Sequence, residues 1–550
     1  MTHPPQPGAP APEQPEQPGA AVARPEQAQQ PSEQPHEPPS GQPHEPPSGP
    51  PLLPEQRSAQ QPYPQQQQQQ PQQPWGAQAY PAPPPNPYAY PWGAPPPPPP
   101  RRLASRVLAV LALVGLALVL LVAVGGTVYL QLDKEQKPTT PAYVAEQRAW
   151  SKVAQGLTDA LAAKDEEAFV RPFAAGPAKE KQRLVFRNLL KVPWETARWE
   201  VSTSSFEGRL RVDFVHQVKG VDNFPVTEEY GWQVRPVDSG TEVVTEVGAV
   251  KDHTGKSDDG GYYPAPWDLY DELAVRSLDH LVVMADKSQS VELDRDADLL
   301  ARAAADDLAA WHQFAPAPVG GRGGAQGFFV VLERNREVYN KLYQGDGKQD
   351  DSLEAGVNMP VPAADGVDRH GATGLLVGGS RIVMDTTDSR FTDGGWKDGV
   401  TDIGRHEMAH ALVATLLSEH PSASGKGQPH DWVAEGFAEF MALRGKDSLA
   451  GDELDGTLSE VAFDGKLPGE GGEFYADTIE SRAANYVLSG DAVRYLAATY
   501  GEAKAFGFVA AHYAKPSGYE QQITAATGQS PEAFQSAWAA HVRSEAGRKH

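Results

Sequence analysis

The sequence of 550 residues contains no cysteine. Disulfide bonds therefore cannot stabilise any part of the chain, and no thiolate can bind a metal ion. Any metal site must be made from histidine, aspartate and glutamate side chains. Basic residues are also scarce, with 48 Lys and Arg against 72 Asp and Glu and a net charge of −24. A nucleic-acid-binding protein needs a basic face to neutralise phosphates, so the sequence predicts no nucleic-acid partner.

Residues 1–100 have little that could form a hydrophobic core. They are rich in Pro, Gln, Gly and Ala, and the segment QPHEPPSG begins at Gln34 and again at Gln42. A glutamine run occupies Gln65–Gln70, and a proline run occupies Pro95–Pro100. This composition predicts a disordered Pro/Gln-rich tail. The tail is either simply solvated or, through its scattered aromatic residues, a contact for a cytoplasmic partner.

One long uncharged segment follows the tail, from Val107 to Leu130. As a helix it would be about 36 Å long, enough to cross a bilayer core of about 30 Å. We expect a single transmembrane helix at residues 103–131, because a signal peptide has a shorter apolar region at the extreme N-terminus. Arg101 and Arg102 precede the segment. The positive-inside rule then predicts a cell-membrane protein with a cytoplasmic N-terminus and an extracytoplasmic remainder.

Residues 138–265 are expected to form a small α+β domain. Apolar residues recur at helical spacing from Tyr143 to about Phe173, and strand-like segments separated by turn residues follow. The phrase GLTDALAAKDEEAFVRPF resembles the opening of cone-shaped domains of the nuclear-transport-factor-2-like type. This resemblance implies helices packed on a curved antiparallel sheet.

Residues 270–550 are expected to form a second domain with an α+β plan. The pattern predicts a short strand at His280–Ala285, then a helix, then a strand at Gly327–Glu333. The segment GLLVGGSRIVMD is interpreted as a pair of strands divided by Gly378 and Gly379. Beyond this pair the pattern is helical to the C-terminus. The fold class predicted for the whole outer part is α+β.

The junction between sheet and helices carries the segment RHEMAHALV, which contains His406, Glu407 and His410. We expect a helix here with Asp402 as its N-cap. A spacing of four residues stacks the two imidazoles one turn apart, so both can reach one zinc ion at about 2.0–2.1 Å. Glu407 is rotated by about 100° and can reach a water on the metal without binding the metal itself.

A third ligand decides what kind of metal site this is. The metzincin pattern needs glycine and histidine three and six residues after His410, but Val413 and Leu416 stand there. The segment HDWVAEGFAEFMALRG instead predicts a second helix with Glu435 and Glu439 four residues apart on one face. One glutamate can bind zinc, and the other can hold a ligating histidine through its second ring nitrogen.

These residues resemble the gluzincin zinc metallopeptidases, in which HExxH is followed by a glutamate ligand on a second helix. The similarity is greatest to the peptidase-MA-like group of bacterial membrane-anchored or secreted proteins. The resemblance implies that His406, His410 and Glu435 bind Zn²⁺ and that Glu407 is the general base. It also implies that Glu439 is a carboxylate that supports a ligating histidine. The implied activity is that of a hydrolase that cleaves peptide or protein substrates.

The resemblance also concerns substrate binding and the oxyanion. The sequence has no Gly-x-Met-Glu-Asn segment, and the nearest similar phrase, GVNMPVP, has no glutamate. Cleavage within chains is therefore expected rather than removal of amino-terminal residues. Tyr486 is the first choice as oxyanion donor, with Tyr475 and His512 as alternatives. The strand Arg381–Asp385 is expected to be the sheet edge along which an extended substrate lies.

The sequence thus predicts a membrane-anchored, extracytoplasmic, zinc-dependent peptidase, and more specifically an endopeptidase. A binding or sensor protein that keeps the metallopeptidase fold without turnover is the alternative, because the oxyanion donor is not defined by the sequence. Replacing Glu407 by Gln distinguishes the two hypotheses, since only an enzyme would lose activity. A scaffold that acts through residues 1–100 is a third possibility, and deleting that tail tests it.

Overall fold

A computed structural model describes most of the chain beyond residue 140. The described residues are 141–206, 209–238, 241–250, 262–317, 323–344, 354–364, 376–417, 427–469, 474–475 and 478–548. The predicted Pro/Gln-rich tail (1–100) and the predicted transmembrane helix (103–131) lie outside these residues. Within the described ranges, no helix combines the length and the apolar character that a membrane span requires.

The first part of the described chain consists of helices followed by an antiparallel sheet. Its elements are α1 (Pro141–Ala163), α2 (Glu166–Phe169), α3 (Pro177–Leu189), β1 (Trp194–Phe206), β2 (Arg209–Val218), β3 (Val226–Asp238) and β4 (Thr241–Gly248). The strands lie in the order β1-β2-β3-β4, and each pairs with its neighbour in antiparallel orientation. This confirms the predicted α+β character of this part, whereas its likeness to nuclear-transport-factor-2-like domains stays a prediction.

Aromatic side chains fill the space between these helices and the sheet. Trp199 stacks on Phe214 with ring centroids 4.5 Å apart, and Phe169 meets Trp199 edge-on at 5.4 Å. Phe173 packs edge-on against Trp232 at 5.8 Å. Fully burying one such side chain contributes about 1.5–3 kcal/mol, so this cluster is a main source of stability here.

A second sheet and its flanking helices follow. The elements are α4 (Pro266–Leu269), β5 (Leu273–Leu278), β6 (Leu281–Asp286), α5 (Ser290–Phe314), β7 (Phe328–Glu333), α6 (Arg336–Tyr339), β8 (Gly356–Pro362) and β9 (Val377–Asp385). The strand order is β5-β6-β7-β9-β8. The pairs β6–β7 and β7–β9 are parallel, and the two outer pairs are antiparallel.

Gly378 and Gly379 do not divide two strands, as the sequence pattern suggested, because both lie within the single strand β9. They permit a close approach of the first part of the chain. A Cβ atom at Gly378 would lie 2.7 Å from Val226 Cγ1, and one at Gly379 would collide with the carboxylate of Asp222. Glycine is therefore required here by a contact distant in sequence and not by a turn.

The predicted position of the strand Arg381–Asp385 at the sheet edge is also wrong. This segment belongs to β9, which pairs with β7 on one side and β8 on the other. The edge strand next to β9 is β8, which contains the segment GVNMPVP, and β5 is the opposite edge. Every residue of β9 is buried, as expected for a strand covered on both faces and paired on both sides.

The remaining elements are helices, as the sequence predicted. They are α7 (Trp396–Ala414), α8 (Asp431–Ala442), α9 (Asp447–Glu460), α10 (Ile479–Tyr500), α11 (Glu502–Ala514), α12 (Tyr519–Thr527) and α13 (Pro531–Arg548). The predicted N-cap Asp402 lies inside α7, which has Gly395 as its N-cap. Asp402 lies beyond the first turn, where it cannot cap the helix, and its carboxylate accepts a hydrogen bond from Lys446 Nζ at 2.6 Å.

The second sheet separates two hydrophobic clusters. Val282, Phe329 and Val383 belong to the cluster that also contains the aromatic residues of the first part. Val283 and Ile382, one position away on the same strands, belong to the cluster formed with the helices. Successive residues of a strand point to opposite faces, so the sheet contacts the first part on one face and the helices on the other. The predicted division at 138–265 and 270–550 stays a prediction.

Candidate metal centre

Helix α7 places His406 and His410 on the same face, one turn apart. Their Nε2 atoms are 3.2 Å from each other. Helix α8 packs beside α7 and brings Glu435 to the same point. Its Oε2 atom lies 3.4 Å from His406 Nε2 and 3.2 Å from His410 Nε2. Three ligand atoms from two helices therefore converge, as the sequence predicted for these residues.

The spacing of these three atoms fits a zinc ion. Tetrahedral zinc with bonds of about 2.0–2.1 Å separates its ligand atoms by about 3.3–3.4 Å. The observed separations are 3.2–3.4 Å. Among the described residues, His406, His410 and Glu435 form the one group of this kind. Two imidazoles and one carboxylate are a donor set of catalytic zinc sites, which leave a fourth position open.

Two further side chains orient these ligands. His406 Nδ1 lies 3.3 Å from Glu439 Oε1, so Nδ1–H can donate to that carboxylate and Nε2 keeps its lone pair for a metal. The hydroxyl of Tyr475 donates a hydrogen bond to Glu435 Oε1 at 3.1 Å. The predicted role of Glu439 as support for a histidine ligand is consistent with this arrangement.

The electrostatics of the cluster favour a bound cation. Burial by itself would lower the pKa of His406, but Glu435 and Glu439 hold it well above its ordinary value. Burial opposes ionisation of Glu435, yet His410 and His406 hold its pKa well below the usual range. The Glu435 carboxylate therefore stays ionised beside the imidazoles and stabilises positive charge at this point.

Glu407 lies beside this cluster and is buried, with 7% of its surface exposed. Burial raises its pKa, and the positive charge that His406 and His410 can carry partly offsets the increase. Its side chain packs against the start of β8, since a Cβ atom at Gly356 would lie 2.7 Å from Glu407 Cγ. Glu407 therefore lies between the metal-binding helix and the edge strand, a position suited to a general base.

The three candidates for the oxyanion donor have different surroundings. The ring of Tyr486, on α10, lies 6.0 Å from the ring of His406. Burial and then the charge of Glu435 raise the pKa of Tyr486 far above its ordinary value, so its hydroxyl keeps its proton. Tyr475 is hydrogen-bonded to Glu435. Tyr486 therefore remains the candidate, as a neutral donor close to the metal ligands.

His512 is used elsewhere in the fold. Its Nε2 atom accepts a hydrogen bond from the backbone N–H of His430 at 3.0 Å, just before α8. Its Nδ1 atom lies 3.0 Å from Gln522 Oε1 and donates to it. Because one ring nitrogen is bound at the start of α8 and the other by Gln522 on α12, His512 connects these two helices and is not available to a substrate.

Comparisons with known proteins do not assign the chain to a family. No family model matches it, and no curated protein matches it. Solved structures that match include two of the M1 zinc metallopeptidase of Deinococcus radiodurans. One is a mutant bound to a Tyr-Ser-Ala substrate; it shares 12% identity and a TM-score of 0.29, with 60% of this chain and 89% of that chain covered. The other has the same identity and TM-score and covers 60% and 88%. Similarity at this level does not identify a family.

Two glycines allow α8 and α10 to approach closely at the candidate centre. A Cβ atom at Gly436 would collide with the backbone carbonyl of Ser489 on α10. In the opposite direction, a Cβ atom at Gly490 would lie 2.8 Å from Glu439 Cβ. The contact holds the helix that bears Glu435 against α10. The sequence signal for this contact is a glycine inside an apolar helix.

Replacing Gly436 by Ala should therefore destabilise the protein. The added methyl group meets backbone atoms that cannot rotate away, and such overpacking costs about 1–3 kcal/mol. The free energy of unfolding, measured with chemical denaturant, would show the loss. Gly456→Ala is the matched control, because a Cβ atom there meets nothing within 4 Å on α9. Equal stability of the two variants would contradict the prediction.

Arg405 is another residue whose role the sequence did not reveal. It precedes His406 and is buried, with 7% of its surface exposed. Its Nε atom donates to Asp307 Oδ1 on α5 at 2.8 Å, and its Nη1 atom donates to the backbone carbonyl of Arg444 at 3.2 Å. One guanidinium thus connects α5, α7 and the chain just after α8, which helps to hold the two ligand-bearing helices in register.

Proposed function

We propose that this chain is a zinc-dependent peptidase. The observation that carries the proposal is the group formed by His406, His410 and Glu435, whose ligand atoms lie 3.2–3.4 Å apart. Glu407 is buried directly beside it. A bound zinc ion would supply Lewis-acid chemistry and activate water for attack on a carbonyl. The site combines residues that can hold a metal ion, a candidate general base and a neutral hydrogen-bond donor. This combination suits hydrolysis of an amide.

The side chains of the site have distinct roles in this reaction. Glu407 accepts the proton of the attacking water and then passes it to the leaving amine. Tyr486 donates its hydroxyl proton in a hydrogen bond to the developing oxyanion. Glu439 holds the imidazole of His406 in one tautomer throughout. The buried environment strengthens each of these interactions relative to water.

We propose further that the substrate is an extended peptide that lies along β8. This strand is one edge of the sheet, and its first residue, Gly356, packs against Glu407. Before Pro360, whose carbonyl accepts a hydrogen bond from the Tyr262 hydroxyl, this edge strand offers backbone N–H and C=O groups with which a peptide can pair. The lack of a glutamate in GVNMPVP supports cleavage within chains.

The mode of cleavage can be tested with one peptide whose amino terminus is either free or acetylated. An endopeptidase should cleave the N-acetylated form at a rate similar to that of the free form. Glu354 lies just before β8 and is close enough to raise the pKa of Glu407. Recognition of a free amino terminus by this carboxylate is the competing outcome, and loss of cleavage on acetylation would establish it.

Anchoring in the cell membrane, with the metal centre outside the cytoplasm, is also proposed. The uncharged segment Val107–Leu130 and the arginines before it support this topology. Protease added to intact cells should then digest an epitope tag at the C-terminus and spare a tag at the N-terminus. Protection of the C-terminal tag in intact cells would contradict the proposal.

Zinc content is the direct test of the proposed activity. The full-length protein in detergent micelles should contain one zinc ion per chain and should cleave a peptide library. Treatment with a chelator should abolish cleavage, and added zinc should restore it. A chain without stoichiometric zinc would refute the proposal, whereas zinc binding without cleavage would favour the binding or sensor protein.

A further inference from the structure

The two carboxylate oxygens of Glu435 have different partners. Oε2 lies 3.4 Å from His406 Nε2 and 3.2 Å from His410 Nε2, inside the candidate metal centre. Oε1 accepts a hydrogen bond from the hydroxyl of Tyr475 at 3.1 Å. The carboxylate therefore presents one oxygen to the two imidazoles, and the other is held by a protein donor.

Tyr475 is the donor of this bond, and the carboxylate of Glu435 is the acceptor. A neutral hydroxyl bound to a carboxylate is a charge-assisted hydrogen bond, which is among the stronger kinds.

The backbone on which Tyr475 lies is fixed to helix α10. Asn485 Nδ2 donates to the carbonyl oxygen of Phe474 at 2.5 Å. Phe474 is 2% exposed, and its ring packs edge-on against Tyr475 at 5.2 Å and against Tyr486 at 5.3 Å. The phenol is thus held against Glu435 by contacts with other residues of the protein.

A glutamate without such a partner is free to rotate about its last torsion, which has broad, shallow minima. Rotation would bring Oε1 as well as Oε2 toward the imidazole nitrogens of His406 and His410. A second oxygen there would occupy the fourth position, so that a water molecule could bind only as a fifth ligand. The hydrogen bond from Tyr475 opposes this rotation.

We infer that Tyr475 is a positioning residue that restricts Glu435 to single-oxygen binding of the metal and so keeps the fourth position open. The inference rests on the proposed zinc site. It assigns different roles to two neighbouring tyrosines. Tyr475 acts on the metal through Glu435, whereas Tyr486 acts on the substrate.

Cobalt substitution provides the test. The full-length protein in detergent micelles is loaded with Co²⁺, whose visible absorption is intense at four-coordinate sites and weak at five-coordinate sites. Tyr475→Phe removes one hydroxyl and keeps the ring. We expect its Co²⁺ band to be several-fold weaker than that of the wild type, and its zinc Kd to rise by about 10- to 100-fold.

Tyr486→Phe is the matched control, since it removes the same group from the adjacent ring. It should retain the wild-type Co²⁺ spectrum and zinc Kd while kcat falls. A wild-type spectrum and Kd in Tyr475→Phe would overturn the inference and leave the proposed function intact. A wild-type chain that binds neither metal would overturn both.

A second variant covers the case in which Tyr475→Phe does not fold. Asn485→Ala releases the carbonyl of Phe474 and leaves every metal ligand and both tyrosines unchanged. It should shift the Co²⁺ band in the same direction, because the phenol is then less firmly held. An unchanged band in Asn485→Ala would overturn the inference.

Discussion

Replacing Glu407 by Gln should lower the rate of peptide cleavage by about 10²- to 10⁴-fold, the range typical of a lost general base. Zinc content should stay at the wild-type value, because Glu407 is not in the group of ligands formed by His406, His410 and Glu435. Glutamine has nearly the same shape as glutamate, so packing against Gly356 is retained. The measurement is kcat on a peptide substrate, with zinc determined in the same preparation.

The pH dependence of the wild type provides an independent check on Glu407. A general base must be ionised, and burial raises the pKa of this carboxyl above its ordinary value. Activity should therefore be lost as the pH falls through the pKa of Glu407 and this carboxylate becomes protonated. The control for Glu407→Gln is Glu460→Gln, on the exposed side of α9, which should leave kcat unchanged. Normal cleavage by Glu407→Gln would rule out the proposed mechanism.

Replacing Asp222 by Ala should cost about 3–5 kcal/mol of stability, because it leaves the charge of Arg381 buried without its partner. Arg381 lies in β9 and is fully buried, as is the carboxylate of Asp222. Nη1 donates to Asp222 Oδ1 at 2.7 Å, and Nη2 donates to Oδ2 at 3.1 Å. A bidentate ion pair of this kind is strong when intact, and removing one partner costs stability.

The surroundings of Arg381 offer little compensation for a lost carboxylate. Nη2 also lies 3.2 Å from His216 Nε2. Burial, and then the charge of Arg381, keep the pKa of His216 well below its ordinary value, so this imidazole is neutral. The guanidinium lies over the ring of Phe329 at 4.8 Å from its centroid. Neither group carries the negative charge that Asp222 supplies, and burial raises the pKa of the nearby Glu228 carboxyl well above its ordinary value, which favours its neutral form.

An exposed pair provides the matched control for Asp222→Ala. Arg276 and Asp294 are also an Arg–Asp pair, 2.6 Å apart, but their side chains are 36% and 63% exposed. Asp294→Ala should therefore change stability by only about 0.2–1 kcal/mol. Denaturant unfolding of the two variants gives the comparison. Equal losses would show that the burial of the Arg381 pair has no energetic importance.

This pair also has a consequence for the proposed peptidase. Arg381 belongs to the sheet that supports α7, whereas Asp222 lies between β2 and β3 in the first part of the chain. Removal of the first part would uncover a buried charge together with one face of the second sheet. The stability of the metal centre therefore depends on residues far upstream of its ligands.

Several features of the protein followed from the sequence alone because they depend on residues close together in the chain. Helical periodicity indicated α7 and α8 without tertiary information. The spacing of His406 and His410, one helical turn, determined that both imidazoles point the same way. The same reasoning on the second helix selected Glu435 and Glu439, and the α+β order of the elements followed from the alternation of strand and helix patterns.

Other features were decided only by contacts between distant segments. The sequence pattern put a break at Gly378 and Gly379 and put Arg381–Asp385 at the sheet edge, but the approach of Asp222 and the pairing with β7 and β8 determined otherwise. Local periodicity contains no information about which strand lies beside which. Strand order is set by the burial of whole faces and by hydrogen bonding across the sheet.

The roles of individual polar side chains were likewise decided by tertiary structure. The sequence made Tyr486 the first choice as oxyanion donor and kept Tyr475 and His512 as alternatives, and only the fold brought Tyr475 to Glu435 and His512 to the start of α8. Arg381 and Asp222 are 159 residues apart in sequence, and nothing local to either residue indicates the other. Sequence alone thus determined which residues can bind a metal, because ligand type and spacing are local. Tertiary structure decided what holds those residues in place, because a buried polar group must find its partner wherever the fold brings one.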